Sequence, residues 1–352
     1  MNKTPLLRSL VLSLAMLVSL PTFAAVKKEF NVCWTIYAGW MPWGTISTNK
    51  IIDKWADKYG IKINVVQLND YIESINQYTA GQFDGCTMTN MDALTIPAAG
   101  GVDTTALILG SYSEGNDGVV MKGEGKTLTD LKGMKIYLPE LSVSHYLLVR
   151  GLEKAGLAEK DVTVVNTSDA DIVSAFATQN VQAAVAWNPQ LSVIKGTPKT
   201  TEVFSSSQVP GELIDMMVVN SETLKDNPAL GKALTGAWYE MMGLMIAQDA
   251  NALNAMAAAS GTDLTGYQAQ LKTTHLFYTP QDNIAFVTSA DLVKTMQRVA
   301  AFSFDKGLLG DGAQSADFIG MSFPGNVTQG DASNVKLRFD DSFVKMAAAG
   351  QL

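Results

Sequence analysis

Cysteine and histidine are almost missing from this 352-residue chain, which has two of each. So few exclude a disulfide scaffold and most thiolate- or imidazole-rich metal centres. Arginine is scarce too: beyond residue 24 only Arg150, Arg298 and Arg338 occur, none on an expected strand-end loop. A site for nitrate or a sulfonate usually gains from guanidinium or ammonium donors, so the shortage leans toward a neutral or cationic ligand. Excess positive charge is also lacking. Lys and Arg number 26 against 34 Asp and Glu, a net charge of −8, which argues against nucleic acid as a partner. After the first 24 residues no apolar run approaches the ~18 residues of a membrane-spanning helix. Catalytic signatures are missing as well: there is no Gly-x-Ser-x-Gly, no HExxH and no GxGxxG after a strand. Gly123-Glu-Gly-Lys-Thr127 has the letters of a phosphate loop without its glycine spacing. No enzyme activity, cofactor or metal is expected.

What is present describes a globular chain, 47% hydrophobic and 17% charged, large enough for two domains. Lys3 and Arg8 precede the apolar run Leu10–Leu20, followed by Pro21 and Thr22-Phe23-Ala24. A run of this length is too short for a bilayer of ~30 Å and fits an export signal cut after Ala24. Losing Lys3 and Arg8 takes the charge from −8 to −10. The mature protein is expected to be exported and soluble.

Strand and helix patterns then alternate. Phe30–Tyr37 is β-rich, Ala38–Gly44 reads as a loop, and Ser47–Tyr59 as a helix. Ile61–Val66 reads as a strand, Asp70–Thr79 as a helix, and Gly85–Met88 and Thr104–Leu109 as strands. The grammar restarts with strands at Gly118–Lys122, Met134–Leu138, Val162–Asn166 and Ala183–Trp187. Helices at Ser144–Ala155 and Asp169–Thr178 separate them. Met216–Asn220 returns as a strand, and the remainder reads as mainly helical, with helices near 229–248, 251–260 and 288–306. Such alternation predicts βαβ units and mostly parallel sheets. Two modules joined by crossings near 112–118 and 213–218 suggest two lobes hinged around a cleft: 25–112 plus 218–352, and 113–217.

Ligands of open α/β sheets lie beyond the carboxyl ends of the strands, so the strand-end loops carry the candidates. Trp40 and Trp43 stand in the first loop, either covering the core or forming an aromatic wall for a flat or cationic ligand. Thr89, Asn90 and Asp92 open a helix whose amino end can take an anion or a carbonyl; Asp92 alternatively only complements the helix dipole. In the second module Glu140, Ser144 and His145 lie between strand and helix, and His145 alone reads more readily as structural. Trp187 and Asn188 follow a strand. Glu212 and Asp215 flank the returning crossing, as Glu114 and Asp117 flank the outgoing one. Cys33 and Cys86 fall on neighbouring strands of a 2-1-3 order, bridged or buried as thiols.

Three segments carry a resemblance: Tyr78-Thr-Ala-Gly-Gln-Phe-Asp84, Ser144-His-Tyr-Leu-Leu-Val-Arg-Gly-Leu-Glu-Lys-Ala-Gly156 and Ala184-Val-Ala-Trp-Asn-Pro189. Through them nearly the whole mature chain resembles periplasmic substrate-binding proteins of ABC importers in the nitrate/sulfonate/taurine-like group. Ala301-Phe-Ser-Phe-Asp-Lys-Gly-Leu-Leu-Gly310 and Asn334-Val-Lys-Leu-Arg-Phe-Asp340 look closest to the urea carboxylase-associated subgroup. The resemblance implies a type II-like bilobal α/β fold with two hinge crossings. It also implies a monomer that captures a small solute in the periplasm for an ABC permease in the inner membrane. For the subgroup it implies guanidine- or urea-like solutes. Of these guanidinium suits the residues better, with Trp40 or Trp43 stacking on its plane and two of Asp92, Glu114, Glu140, Glu212 and Asp215 accepting its N–H groups. Nitrate, a sulfonate or taurine is the alternative, held by the helix ends at Asn90 and Ser144; an exported enzyme of the same fold is a second. This chain has Asn188 where many relatives carry an acidic residue.

Overall fold

β-Branched and aromatic residues in the opening run form strand β1 (Glu29–Thr35) in the computed structural model, which describes residues 27–352. The expected export signal and its cut after Ala24 lie outside the described residues. Next come β2 (Lys62–Leu68), β3 (Gly85–Thr89), β4 (Thr104–Ser113), β5 (Asp117–Lys122), β6 (Lys135–Leu138) and β7 (Thr163–Asn166). The series continues with β8 (Ala183–Trp187), β9 (Thr200–Ser205), β10 (Ile214–Asn220) and β11 (Thr274–Leu276). It ends with β12 (Gly320–Phe323), β13 (Val327–Gln329) and β14 (Val335–Phe339).

The strands form two sheets. One runs β13-β12-β14-β4-β10-β3-β1-β2, with β11 paired to β4; the other runs β7-β6-β8-β5-β9. The expected 2-1-3 order thus holds at β2-β1-β3. An S–S bridge joins Cys33 to Cys86, register partners on the parallel strands β1 and β3. Gly85 is needed where β3 approaches β10, since a Cβ there would sit 2.6 Å from the Val218 carbonyl oxygen.

Neither sheet is as parallel as the alternation suggested. β1 pairs in parallel with β2 and β3, but β10 runs antiparallel to both β3 and β4. In the second sheet β6 is parallel to β7 and β8, while β5 is antiparallel to β8 and β9. The reason is the crossing: a chain that leaves at β4 and returns through β10 must insert its return strand head-to-tail.

Other expectations change locally. The loop expected over 38–44 contains the start of helix α1 (Met41–Thr48), with Pro42 in its first turn, where its missing N–H costs nothing. The helix expected over 47–59 breaks at Lys50, whose φ of 60° is left-handed, and resumes as α2 (Ile51–Lys58). Helix α3 (Tyr71–Thr79) is capped by Asp70, whose side chain accepts the Glu73 N–H. The four-residue α4 (Asn90–Ala93) follows β3, and α5 (Val143–Lys154) follows β6. The C-terminal part is not only helical, because it supplies β11 to β14. No helix among the described residues is long and apolar enough to cross a membrane.

Candidate functional site

The amino- and carboxyl-terminal strand ends of the two sheets meet at a small enclosed cavity. The space between its walls is about 280 Å³ in all, most of it too narrow for a water molecule. That is room for about one water-sized group as the cavity stands. Larger depressions, such as the groove of Tyr112, Phe286 and Arg298, are more open to solvent and share no lining residue with this cavity.

Aromatic rings make most of the wall. Tyr37 meets Trp40 edge-on at 5.0 Å between ring centroids, Trp40 lies 5.6 Å from Tyr71, and Tyr71 meets Trp187 edge-on at 5.5 Å. The first three rings come from elements of the first sheet and Trp187 from the end of β8 in the second. Trp187 Nε1 donates to the Ile36 carbonyl at 3.2 Å, which fixes it across the junction. Trp40 Nε1 is buried and has no acceptor.

Two carboxylates complete the lining, Asp117 at the start of β5 and Asp215 on β10. Asp215 Oδ2 accepts from Ser111 Oγ at 2.6 Å and from Tyr37 OH at 2.9 Å. Behind the cavity, Asp92 Oδ2 accepts from Tyr71 OH at 2.6 Å and Thr89 Oγ1 at 2.8 Å. Tyr71 OH in turn accepts the Thr89 N–H at 2.9 Å. Among the described residues no Lys, Arg or His lies within ion-pair distance of Asp92, Asp117 or Asp215. Burial without a countercharge raises all three carboxyls: Asp92 to about 6, Asp117 to about 7, and Asp215 well above its usual range. The negative charges also act on one another, Asp92 on Asp117 and Asp117 on Asp215.

Of the residues singled out in the sequence, Trp40, Thr89, Asp117, Trp187 and Asp215 come together in this wall, with Asp92 bonded to Tyr71 behind it. The others do not line it. Trp43 is buried in the core, stacked on Trp238 at 5.1 Å. Asn90 braces the returning crossing, accepting the Ile214 N–H at 3.0 Å and donating to the Glu212 carbonyl at 3.2 Å. Glu114 is half-exposed, its carboxylate 3.7 Å from His275 Nδ1. Glu140 is exposed beyond β6. Ser144 is buried in the first turn of α5, its Oγ without a partner. His145 accepts the Leu141 N–H on Nδ1 at 3.1 Å and faces Glu159 with Nε2; burial, then nearby Lys306, lowers its pKa to about 4. Asn188 Oδ1 accepts from Ser192 N and Oγ, which caps the next helix. Glu212 is clamped by Arg150 and Arg298.

Tyr37, Tyr71, Val143 and Leu213 are the wall residues that strand-end reasoning did not select, and Asp117 is legible in the sequence only as flanking a crossing. Asp117 carries the one available signal, an acidic residue opening an otherwise apolar strand. The tyrosines look like core residues in sequence, because a closed cavity buries its walls.

Several bonds join the two units. The Ala38 N–H donates to the Asn188 carbonyl at 3.0 Å, and the Tyr71 N–H donates to Asp169 Oδ1 at 3.1 Å. Ser168 Oγ donates to Asp70 Oδ2 at 2.5 Å, and Lys306 pairs with Glu159.

Two sheets joined by two crossings, with a buried cavity at their junction, define the periplasmic substrate-binding protein fold. The alkanesulfonate-binding protein SsuA from Xanthomonas axonopodis pv. citri, solved with MOPS bound, superposes with a TM-score of 0.67 at 18% identity. The match covers 82% of this chain and 96% of that one. The chain belongs to the NMT1/THI5-like family, whose model matches residues 55–252. It is 26% identical over 257 residues to a putative binding protein of Brucella abortus (strain 2308), covering 72% of this chain and 76% of the relative. A shorter match, 25% identity over 144 residues, reaches the taurine-binding periplasmic protein of Escherichia coli K12, covering 40% of this chain and 44% of that protein.

Proposed function

We propose that this protein is the periplasmic solute-binding component of an ABC import system, and that its solute is a small nitrogenous cation of the guanidinium type. The lobes would be residues 25–112 with 218–352, and 113–217, closing on the solute and handing it to a permease in the inner membrane. One observation carries the choice of charge: Asp117 and Asp215 face a buried cavity with no cation of the protein's own. Desolvated carboxylates are costly alone and strongly attractive to a cation that enters. Guanidinium is planar and has N–H donors for both, while the indole and phenol faces of Trp40, Tyr71 and Trp187 suit a flat cation. The small cavity favours a solute of few atoms, and one larger than a single water enters only as the walls move apart. The C-terminal segments Ala301–Gly310 and Asn334–Asp340, similar to the urea carboxylase-associated subgroup, point the same way.

Urea is the second reading, favoured by the buried Trp40 Nε1, which lacks an acceptor that a urea carbonyl would supply. Relatives named for taurine and alkanesulfonate make a small anion the natural competitor. A thermal-unfolding panel separates the three, since a ligand that binds only the native state raises the midpoint with concentration. Guanidinium at low millimolar concentration is expected to raise it most and urea less; taurine, methanesulfonate and nitrate should leave it unmoved. A midpoint raised by the anions alone overturns the cationic reading.

A further inference from the structure

The helix Ala290–Asp305 is rooted in the first unit. Its residues Leu292, Met296, Val299 and Ala300 are buried, and Met296 Sδ accepts from Asn90 Nδ2 at 3.5 Å. A different face carries Arg298, Phe302 and, just past the helix end, Lys306. Residues four apart are neighbours on a helix surface, so the three form one stripe about 12 Å long at ~1.5 Å per residue. Every member of it touches the second unit. Arg298 Nε lies 3.5 Å from Glu212 Oε1. Phe302 meets Tyr146 edge-on at 5.1 Å between ring centroids and His145 at 6.4 Å. Lys306 pairs with one oxygen of Glu159, whose other oxygen lies 3.2 Å from His145 Nε2. The Lys306 ammonium is also 5.7 Å from the centre of the Phe302 ring, which ties the last two members together. His145 and Tyr146 share the first turn of α5 with Val143, a wall residue of the cavity. The stripe therefore bears on the helix that supplies this wall, yet none of its residues lines the cavity.

We propose that this stripe is a strap that sets how readily the two units close, with Arg298 as its fixed end and Phe302 and Lys306 as its releasable end. The inference rests on the two-lobe reading above and is independent of the solute's charge. Glu212 flanks the returning crossing, so a rotation about the crossings moves it little and leaves Arg298 in place. Displacement grows with distance from a hinge, and Lys306 stands about 12 Å further along the stripe. Opening must therefore part Phe302 from Tyr146 and Lys306 from Glu159. Both contacts favour the closed arrangement whatever the solute. Apparent affinity scales with the fraction of molecules able to adopt the binding arrangement, so the strap tunes affinity without touching the guest. Phe302 and Lys306 are positioning residues in this sense.

The test combines small-angle X-ray scattering of the ligand-free protein with calorimetric titration of guanidinium chloride. Lys306→Glu and Glu159→Lys are each expected to enlarge the radius of gyration of the folded, ligand-free protein. Each should also weaken guanidinium binding about fivefold or more. The double exchange, Lys306→Glu with Glu159→Lys, should return both quantities to within about twofold of wild type. A merely structural pair would lower the unfolding midpoint and leave the scattering of the folded protein unchanged. The effect should also grade along the stripe, smaller for Arg298→Gln than for Lys306→Glu. If Lys306→Glu does not fold, Lys306→Met removes the pair without adding a like charge and is read in the same way. Folded single variants that keep the wild-type scattering curve, or a double exchange that fails to restore it, overturn the strap. An Arg298→Gln protein that opens as far as Lys306→Glu overturns it too. A wild type that ignores guanidinium overturns the cationic reading instead, and the scattering still decides the strap.

Discussion

Glu212 and Asp215 stand on the same returning crossing, yet they are treated in opposite ways. Glu212 receives Arg150 Nε at 2.8 Å and Nη2 at 3.2 Å, Tyr146 OH at 2.6 Å, and Arg298 Nε at 3.5 Å. These partners hold its carboxyl below the usual range, although burial pulls the other way. Asp215 receives two hydroxyls and no cation, and burial drives its carboxyl well above that range. Two of the three arginines among the described residues are thus spent on a carboxylate at the cavity's flank, and none on those in its wall. A fold that supplies cations where it fixes a carboxylate, and withholds them from the cavity, fits the proposed reading in which the compensating charge arrives from outside.

The comparison breaks most sharply at Asp215. Asp215→Asn should weaken guanidinium binding on the order of 100-fold, about 3 kcal/mol, without lowering the unfolding midpoint of the ligand-free protein. Calorimetry and thermal unfolding read the two effects separately. Glu212→Gln should do the reverse. The loss of charged hydrogen bonds costs about 1–2 kcal/mol of stability, seen as a lower midpoint, while affinity changes less than about threefold.

Acidity sharpens the same contrast. Asp92 and Asp117 have folded-state values of about 6 and about 7, above the unfolded value of ~3.9. Their contribution to ligand-free stability is therefore complete below pH ~3.9 and is lost as pH rises through about 6 to about 7. A bound cation favours the ionised forms, so the ligand-induced rise in midpoint should be larger at pH 8 than at pH 6. His145, lowered to about 4, has the opposite slope, losing stability as pH falls from ~6.5; it lies outside the cavity wall and acts alike on free and bound protein, so it cancels from the ligand-induced rise. A rise that shrinks toward pH 8 would contradict the assignment. The smallest effect is expected at Asn188→Asp. Its side-chain oxygen is taken by Ser192 N and Oγ, and the residue does not line the cavity, so guanidinium affinity measured by calorimetry should stay within about twofold of wild type.

Much of the scaffold was legible because it rests on local pattern. The runs at 85–88, 118–122 and 183–187 have the composition and length of buried strands, and the 2-1-3 order follows from short helical connections between them. The antiparallel course of β10 depends on where the chain re-enters the first sheet, which no local window contains. The edge strands β11 to β14 are too short to show a period. At the site, Trp40, Trp187 and Asp215 were visible as strand-end residues of unusual type. Trp43 shares the loop chemistry of Trp40 but falls on the inward face of α1, a helix that the tryptophans and Pro42 disguised as a loop. The arginine clamp joins residues 62 and 86 positions apart from Glu212, so sequence proximity gave no hint of it.

The covalent link between Cys33 and Cys86 lies beneath the strand ends that deliver Tyr37 and Trp40 on one side and Thr89 and Asp92 on the other. It staples the floor of one half-receptor, keeping those loops in mutual register whether or not a guest is present. On the two-lobe reading proposed above, capture has only the opposite jaw to bring in, and little entropy is lost on ordering the receiving side. A reductant strong enough to open the staple should therefore loosen recognition before it unfolds the molecule.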